Sequence, residues 1–347
     1  MQRVFYPAGT KLGREIFNLI PDSEIIPYNP SELTSLQSEK ISVLIANTRL
    51  IINEETINRY KHVSCFATVS SGTDHVDWNM LRKYDRKFMN SPGCNASSVA
   101  EYIVVALHKF YKNISDLRIG LIGYGQVGKV LGKILDSHGL VWKFYDPFIS
   151  SSKNWNEVWK SDVVSCHVPL TWDGRYPTFG FIGEGEISNL QSNSMFINTS
   201  RGEILTQSGV QSLIRREDIN LVLDVFDPEP PNEDLIGKLI TRKNSIYTPH
   251  IAGYSQIGRI LGIYRLACRL AERVGRKYPK PIDSFLQKNL DFKTETFLDF
   301  ESDQLKSAFI TGNNQYFEER RGNYPLREDI GVYSDNSYLY NGSTIDL

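Results

Sequence analysis

The chain has 347 residues, of which 41% are hydrophobic and 23% charged, with a formal net charge of −1. That length supports two or three domains, each able to bury a core of its own. The near-neutral charge removes the electrostatic case for nucleic acid or an anionic membrane as partner, and it leaves room only for a local basic pocket that holds a small anion.

In chain order, the first ninety or so residues alternate β-rich runs with polar, helix-compatible segments. Ile41–Thr48 and Val63–Ser70 read as buried strands, and Lys87–Asn90 as a shorter one. Such alternation predicts a small parallel α/β domain. From Ser97 to about Asn113, Val99, Tyr102, Ile103, Ala106, Leu107 and Phe110 recur at helical spacing, with Ser97 or Ser98 as the expected cap. A second α/β series follows. Its predicted strands are Arg118–Ile122, Trp142–Tyr145, Val163–Val168, Ser194–Asn198, Asn220–Val225 and Ser245–Thr248. Its predicted helices are Gln126–His138, Asn154–Lys160, Ile187–Leu190 and Gln207–Arg216. Together they predict a doubly wound parallel sheet. A helix from about Gln256 to Lys277 follows, long enough to return the chain to the first domain. After Pro279 and Pro281 the composition turns polar, with scattered Phe and Tyr.

No stretch reaches the roughly 18 to 20 apolar residues of a membrane span, and Met1–Pro7 holds no apolar run of signal-peptide length. Cys65, Cys94, Cys166 and Cys268 are far apart, with no CxxC pair and no metal-ligand spacing. The expectation is free thiols in the cytoplasm and no bound metal.

Gly123-Tyr-Gly125-Gln126-Val127-Gly128 matches G-x-G-x-x-G between a predicted strand and a predicted helix, the context that motif needs. Gly123 permits the tight turn, Gly125 lets backbone approach a pyrophosphate, and Gly128 allows close helix–sheet packing. Asp146 ends the next strand, 21 positions after Gly125. Its carboxylate suits a ribose diol and repels a 2′-phosphate, which predicts NAD over NADP. The lesser reading of Asp146 alone is an Asp-Pro turn with no ligand.

Three further strand ends carry polar residues, where open α/β sheets bind ligands. Arg201, in Ile197-Asn-Thr-Ser-Arg-Gly202, can present its planar fork to a carboxylate, or serve as a structural ion-pair partner. Asp224 ends a strand and Glu229 follows in a proline-stiffened loop; singly, both read as solvated acids. His250, in Tyr247-Thr-Pro-His-Ile-Ala-Gly253-Tyr254, reads singly as a satisfied structural residue. Removing hydride from a secondary alcohol needs a base of near-neutral pKa, a carboxylate to orient it, and a cation to hold the acid group. Arg201, Glu229 and His250 supply that set.

These segments resemble the D-2-hydroxyacid dehydrogenases over about residues 40–280. The resemblance implies that Arg201, Glu229 and His250 are catalytic, that Asp224 contacts the nicotinamide, and that Val168 stands beside the cofactor where the family often has Thr. The stretches Ser71–Asp77, Ser91–Ala96, Pro169–Thr178 and His250–Tyr254 are similar to one branch, which acts on a phosphorylated four-carbon hydroxy acid. That branch implies substrate contacts at Thr48, Ser70 and Tyr254, and a cofactor contact at Gly253. The tail segment Glu318–Glu328, with Tyr324-Pro-Leu-Arg327, is similar to its C-terminal dimerisation domain and implies a homodimer. The implied division is a flavodoxin-like substrate domain (1–93 and 258–285), an NAD-binding Rossmann domain (94–257) and a short α+β dimerisation domain (286–347). Three departures stand out. Val4–Lys11 lacks an acidic segment, Asn47 replaces an Arg before Thr48, and the tail is short. Arg49 or Arg259 is then expected to hold the phosphate. Two rival readings stay open: a dehydrogenase of glycerate, lactate or hydroxypyruvate, and a non-catalytic NAD-binding regulator.

Overall fold

The computed structural model describes residues 1–10, 12–35, 41–285, 297–313, 315–322 and 324. The chain divides into two units, Met1–Asn95 with Ser255–Leu290, and Ala96–Tyr254 with Asp291–Leu347.

The first unit runs β1 (Gln2–Pro7), α1 (Gly13–Phe17), β2 (Ser23–Tyr28), β3 (Val43–Ile45), α2 (Glu54–Arg59), β4 (Cys65–Ala67), α3 (Trp78–Lys83) and β5 (Lys87–Met89). The strands are all parallel, in the order β2-β1-β3-β4-β5, which is the flavodoxin-like order. Successive strand residues face opposite sides, so an unbroken apolar run serves two cores at once. Val4, Tyr6, Val43, Ile45, Cys65 and Ala67 pack on one side with residues of the long helix Gln256–Arg273. Phe5, Leu44 and Phe66 pack on the other with Ile57 of α2, its C-cap Tyr60 and Leu81 of α3. The long helix crosses so close that a Cβ at Gly262 would stand 2.2 Å from the Val69 carbonyl oxygen. That helix stops at Arg273, short of the predicted Lys277, because Gly275 follows at a φ of 70° and turns the chain.

The second unit runs α4 (Ala96–Phe110), β6 (Arg118–Ile122), α5 (Gln126–Ser137), β7 (Val141–Tyr145), α6 (Trp155–Val158), β8 (Val163–Cys166), α7 (Glu184–Ser188), β9 (Met195–Asn198), α8 (Gln207–Arg215), β10 (Asn220–Leu223), α9 (Glu233–Ile240) and β11 (Ser245–Tyr247). The long helix of the first unit is then α10, followed by α11 (Phe297–Ile310) and α12 (Tyr316–Gly322). The parallel order is β11-β10-β9-β8-β6-β7, which puts the switch point between β6 and β8. Alternation again feeds two cores. Phe196, Leu221 and Leu223 face one, and Met195, Ile197 and Val222 face the other. Each fully buried side chain of this size contributes roughly 1.5–3 kcal/mol.

The observed elements correct several expectations. Ser97 and Ser98 are buried within α4 and do not cap it, because the helix begins at Ala96. The predicted helix Ile187–Leu190 lies earlier, at Glu184–Ser188, where the Glu186 side chain accepts the Gly183 N–H. Strand β2 and helix α9 were not anticipated; α9 is capped by Asn232, which accepts the Leu235 N–H. Of the tail, residues 286–296 and 325–347 lie outside the described residues, and with them Pro325–Glu328 of the motif that resembles a dimerisation domain. The described tail helix α11 covers the β11 edge of the sheet. Ser302 accepts the Tyr247 N–H and Lys306 donates to the Ser245 carbonyl. No helix among the described residues is long and apolar enough to cross a membrane.

Candidate active site

At the end of β6 the chain must turn sharply into α5, and glycine makes this possible. Gly123 adopts a φ of 92°, and a Cβ there would stand 2.9 Å from the His167 carbonyl oxygen and 3.0 Å from the Val168 side chain. A Cβ at Gly128 would meet the Gly123 carbonyl oxygen at 2.5 Å, so the helix can seat only on glycine. Gly125, the N-cap of α5, faces open space: beyond its two chain neighbours, no described residue comes within 4 Å of a Cβ there. The opening amides of α5, from Gln126 and Val127 onward, are therefore free to cradle an anion, and the helix dipole favours it. Asp146 ties the next strand end to this loop. It accepts the Tyr124 N–H at 3.0 Å and the Phe148 N–H at 3.1 Å, one on each oxygen, so each oxygen keeps a free lone pair for a diol. The cradle and the acidic strand end fit a dinucleotide.

His167 was not singled out from the sequence. Both its ring nitrogens are buried without a hydrogen-bond partner among the described residues, and burial pushes the imidazole down to about 3, so it stays neutral beside Gly123.

The second cluster forms past β9, β10 and β11. Asn198, at the end of β9, shapes the Arg201 turn by accepting the Ser200 N–H at 3.0 Å and donating to the Arg201 carbonyl at 2.9 Å. The next residue, Gly202, lies against the loop past β10. A Cβ there would stand 2.0 Å from the Phe226 carbonyl, so glycine alone lets these two segments touch. Glu203, beside them, is half-buried, and its carboxyl is raised by burial and by Asp227 and Glu229, with Arg201 opposing.

Asp224 is fully buried. Its Oδ1 accepts the Thr248 hydroxyl at 2.6 Å and the Ile251 N–H at 2.8 Å, and its Oδ2 accepts the Ala252 N–H at 2.9 Å. It thus staples down the segment carrying His250, Ala252 and Gly253. Burial pushes it up to about 6, against the pull of His250 and these hydrogen bonds. His250 has a φ of 56° and donates its N–H to the Asp224 carbonyl at 2.8 Å. Its Nδ1 meets Glu229 Oε2 at 2.9 Å. The other Glu229 oxygen accepts the Phe226 N–H at 3.1 Å. Burial raises the Glu229 carboxyl, but His250 and Arg321 outweigh it and hold the group below the usual carboxylate range. This network assigns the hydrogen to Nδ1 and leaves Nε2 as the acceptor. An imidazole so placed can take a proton from an alcohol.

Tyr254 follows, its ring edge-on to Tyr324 at 6.1 Å. In the first unit, Thr48 is exposed in the turn after β3, beside Asn47, which accepts the Arg49 N–H at 3.0 Å. Ser70, after β4, accepts the Ser91 N–H on its carbonyl. Asn198, Thr248, His167 and Arg321 escaped the sequence reading. Only the polar ends of apolar strands could have pointed to the first three, and nothing local pointed to Arg321.

The family profile described as "D-isomer specific 2-hydroxyacid dehydrogenase, NAD binding domain" matches residues 97–252. The erythronate-4-phosphate dehydrogenase of Wigglesworthia glossinidia brevipalpis is 33% identical over 270 residues, 74% of this chain and 70% of that one. The enzyme of the same name from Shewanella violacea is 29% identical over 332 residues, 92% of this chain and 81% of its own. Among solved structures, the NAD+-bound 3-phosphoglycerate dehydrogenase of Entamoeba histolytica aligns with a TM-score of 0.65 and 25% identity, covering 86% of this chain and 99% of that one. The chain belongs to the D-isomer specific 2-hydroxyacid dehydrogenase family of NAD-dependent oxidoreductases, on the branch that holds the erythronate-4-phosphate dehydrogenases.

Proposed function

We propose that this protein oxidises 4-phospho-D-erythronate at C2 to (R)-3-hydroxy-2-oxo-4-phosphooxybutanoate, a step in making pyridoxal 5′-phosphate. The observation that carries this reading is the His250–Glu229 pair at 2.9 Å, on the loops past β10 and β11 of an NAD-binding domain. His250 Nε2 takes the C2 hydroxyl proton, and Glu229 stabilises the imidazolium through Nδ1. Arg201 holds the substrate carboxylate through its planar fork. NAD, when bound, supplies the hydride acceptor. Gly123, Gly125, Gln126, Val127 and Gly128 are the residues to hold its pyrophosphate, Asp146 its ribose, and Val168, Asp224 and Gly253 its nicotinamide end. Thr48, Ser70 and Tyr254 are assigned to the substrate, and Arg49 or Arg259 to its phosphate. The named relatives support the substrate. The tail's resemblance supports a homodimer, and the four free cysteines support a reducing, cytoplasmic setting.

The test follows NADH absorbance with phosphorylated and plain four-carbon 2-hydroxy acids. A phosphate held by one or two charge-assisted hydrogen bonds should raise kcat/KM by roughly 10- to 100-fold over plain erythronate. Equal or better turnover of glycerate, lactate or unphosphorylated erythronate would move the protein elsewhere in the family. NADH binding with no turnover on any 2-hydroxy acid would make it a regulator.

A further inference from the structure

The tail reaches the candidate catalytic pair. Helix α12 is seated by Phe317, fully buried and edge-on to Phe226 at 5.9 Å. Phe226 is the residue whose N–H holds Glu229 Oε1. The next turn of α12 is pinned as well. Arg320 Nε donates to Glu301 of α11 at 2.8 Å, and its guanidinium lies 4.9 Å from the Tyr324 ring centre. So held, α12 aims Arg321 at the same loop. Arg321 Nη1 donates to Glu229 Oε2 at 3.2 Å, the oxygen that meets His250 Nδ1 at 2.9 Å. One carboxylate oxygen therefore serves an imidazole and a guanidinium, while the backbone holds the other. The three side chains are between 18% and 30% exposed, so water screens their charges only in part.

We propose that Arg321 is a positioning residue that fixes Glu229 and sets how strongly it favours a protonated His250. The physical argument is one of shared charge. A lone carboxylate would stabilise an imidazolium fully, and a base held protonated cannot accept the alcohol proton. A permanent cation on the same oxygen offsets part of that attraction and repels the imidazolium directly. It also keeps Glu229 ionised and turned toward Nδ1. Among the described residues, the other charged groups near the pair are Asp224 at the end of β10, Arg201 and Glu203 in the turn past β9, Asp227 in the Glu229 loop, and Glu318 beside Arg321 on α12 at 3.7 Å. Replacing Arg321 removes the ion-pair partner of Glu318 and substitutes none of the other four.

The kinetic side of this inference rests on the proposed reaction; the titration of His250 does not. The experiment is a proton NMR titration of the His250 Cε1–H in the full chain, assigned by its loss in His250→Gln, for wild type, Arg321→Met and Arg321→Lys. The midpoint should rise in Arg321→Met by roughly half to one pH unit, and return most of the way in Arg321→Lys. The acid limb of kcat/KM should move by the same amount. A merely structural role predicts activity scaled down equally at every pH with no shift of midpoint, and an unmoved midpoint in a folded Arg321→Met overturns the inference. If Arg321→Met does not fold, Arg321→Gln and Arg321→Lys make the same comparison, and an unmoved midpoint in Arg321→Gln overturns the inference equally. Absence of turnover in the wild type would sink the reaction, and the midpoints would still decide on Arg321.

Discussion

The glycine loop and the His250 loop both stand at carboxyl ends of strands in one sheet, yet they are built by different means. The first is a matter of backbone. Gly123 turns, Gly128 seats against the Gly123 carbonyl, and one carboxylate, Asp146, fastens the loop from the next strand. The second is a side-chain network drawn from Asn198, Asp224, Glu229, Thr248, His250 and Arg321, spread over 124 residues from first to last. A backbone cradle is tuned by what cannot be there, namely a Cβ. A network is tuned by charges that must be there, and each buried carboxylate in it has two or more partners. The first should therefore fail by steric exclusion and the second by loss of protonation control.

The largest expected effect is at His250. Replacing it with Gln keeps the size of the side chain and removes the base, so kcat should fall by roughly 10²- to 10⁴-fold. NADH affinity, measured by fluorescence, should stay within a few-fold, because the cradle is elsewhere on the sheet. Near-wild-type turnover would show that the network is not the reactive centre.

Asp224→Asn sharpens the contrast at a fully buried carboxylate. Burial lifts that carboxyl from its ordinary 3.8 to about 6, so the folded chain holds a proton there that the unfolded chain releases. Stability from this group is therefore fully present below 3.8 and is lost as the pH rises through about 6. A displacement of that size corresponds to about 3 kcal/mol. Between about pH 4 and pH 6.5, the wild type should lose more thermal stability than the Asn variant, which does not titrate. Parallel melting curves across that range would refute the assignment. The variant should also turn over more slowly, since the Ile251 and Ala252 amides lose a charged acceptor.

Two glycines break the comparison from the other side. Gly128→Ala places a methyl group 2.5 Å from the Gly123 carbonyl oxygen, and overpacking of this kind costs typically 1–3 kcal/mol. The Cβ of Gly125→Val meets no described residue beyond its chain neighbours, so its melting temperature should hardly move while NADH binding weakens by tenfold or more, roughly 1.4 kcal/mol. Equal affinity in Gly125→Val would mean the pyrophosphate does not lie there.

The same contrast explains what could be read from the chain. The strands of both sheets were legible because each is a short apolar run buried on two faces, and the cradle was legible because its chemistry is local. Glu229 and His250 could be joined only through the chemistry that needs a carboxylate beside a base, since 21 positions separate two residues that meet when β10 and β11 pair. Asp224 looked like a ligand contact; that its oxygens accept three hydrogen bonds from the His250 segment follows from the register of those strands, which no spacing encodes. Strand β2 was missed because most of its residues are only half-buried at a sheet edge and carry no strong apolar pattern. Arg321 was out of reach altogether. Its role depends on where Phe317 seats a short helix.

The smallest expected effect is at Asp146, where both modes meet. Its carboxylate is a side chain, but it acts by holding the Tyr124 and Phe148 amides and by presenting negative charge to the ribose. Asp146→Asn keeps one amide acceptor and the shape of the turn while removing the charge. Affinity for NAD should fall by several-fold as charge-assisted hydrogen bonds become neutral ones. Affinity for NADP should rise, because a 2′-phosphate no longer faces an anion at close range. The ratio of kcat/KM for the two cofactors should thus move toward NADP by roughly tenfold. A ratio that stays fixed while both values drop would mean Asp146 serves only to hold the loop, and the preference for NAD would then have to come from steric exclusion by the backbone alone.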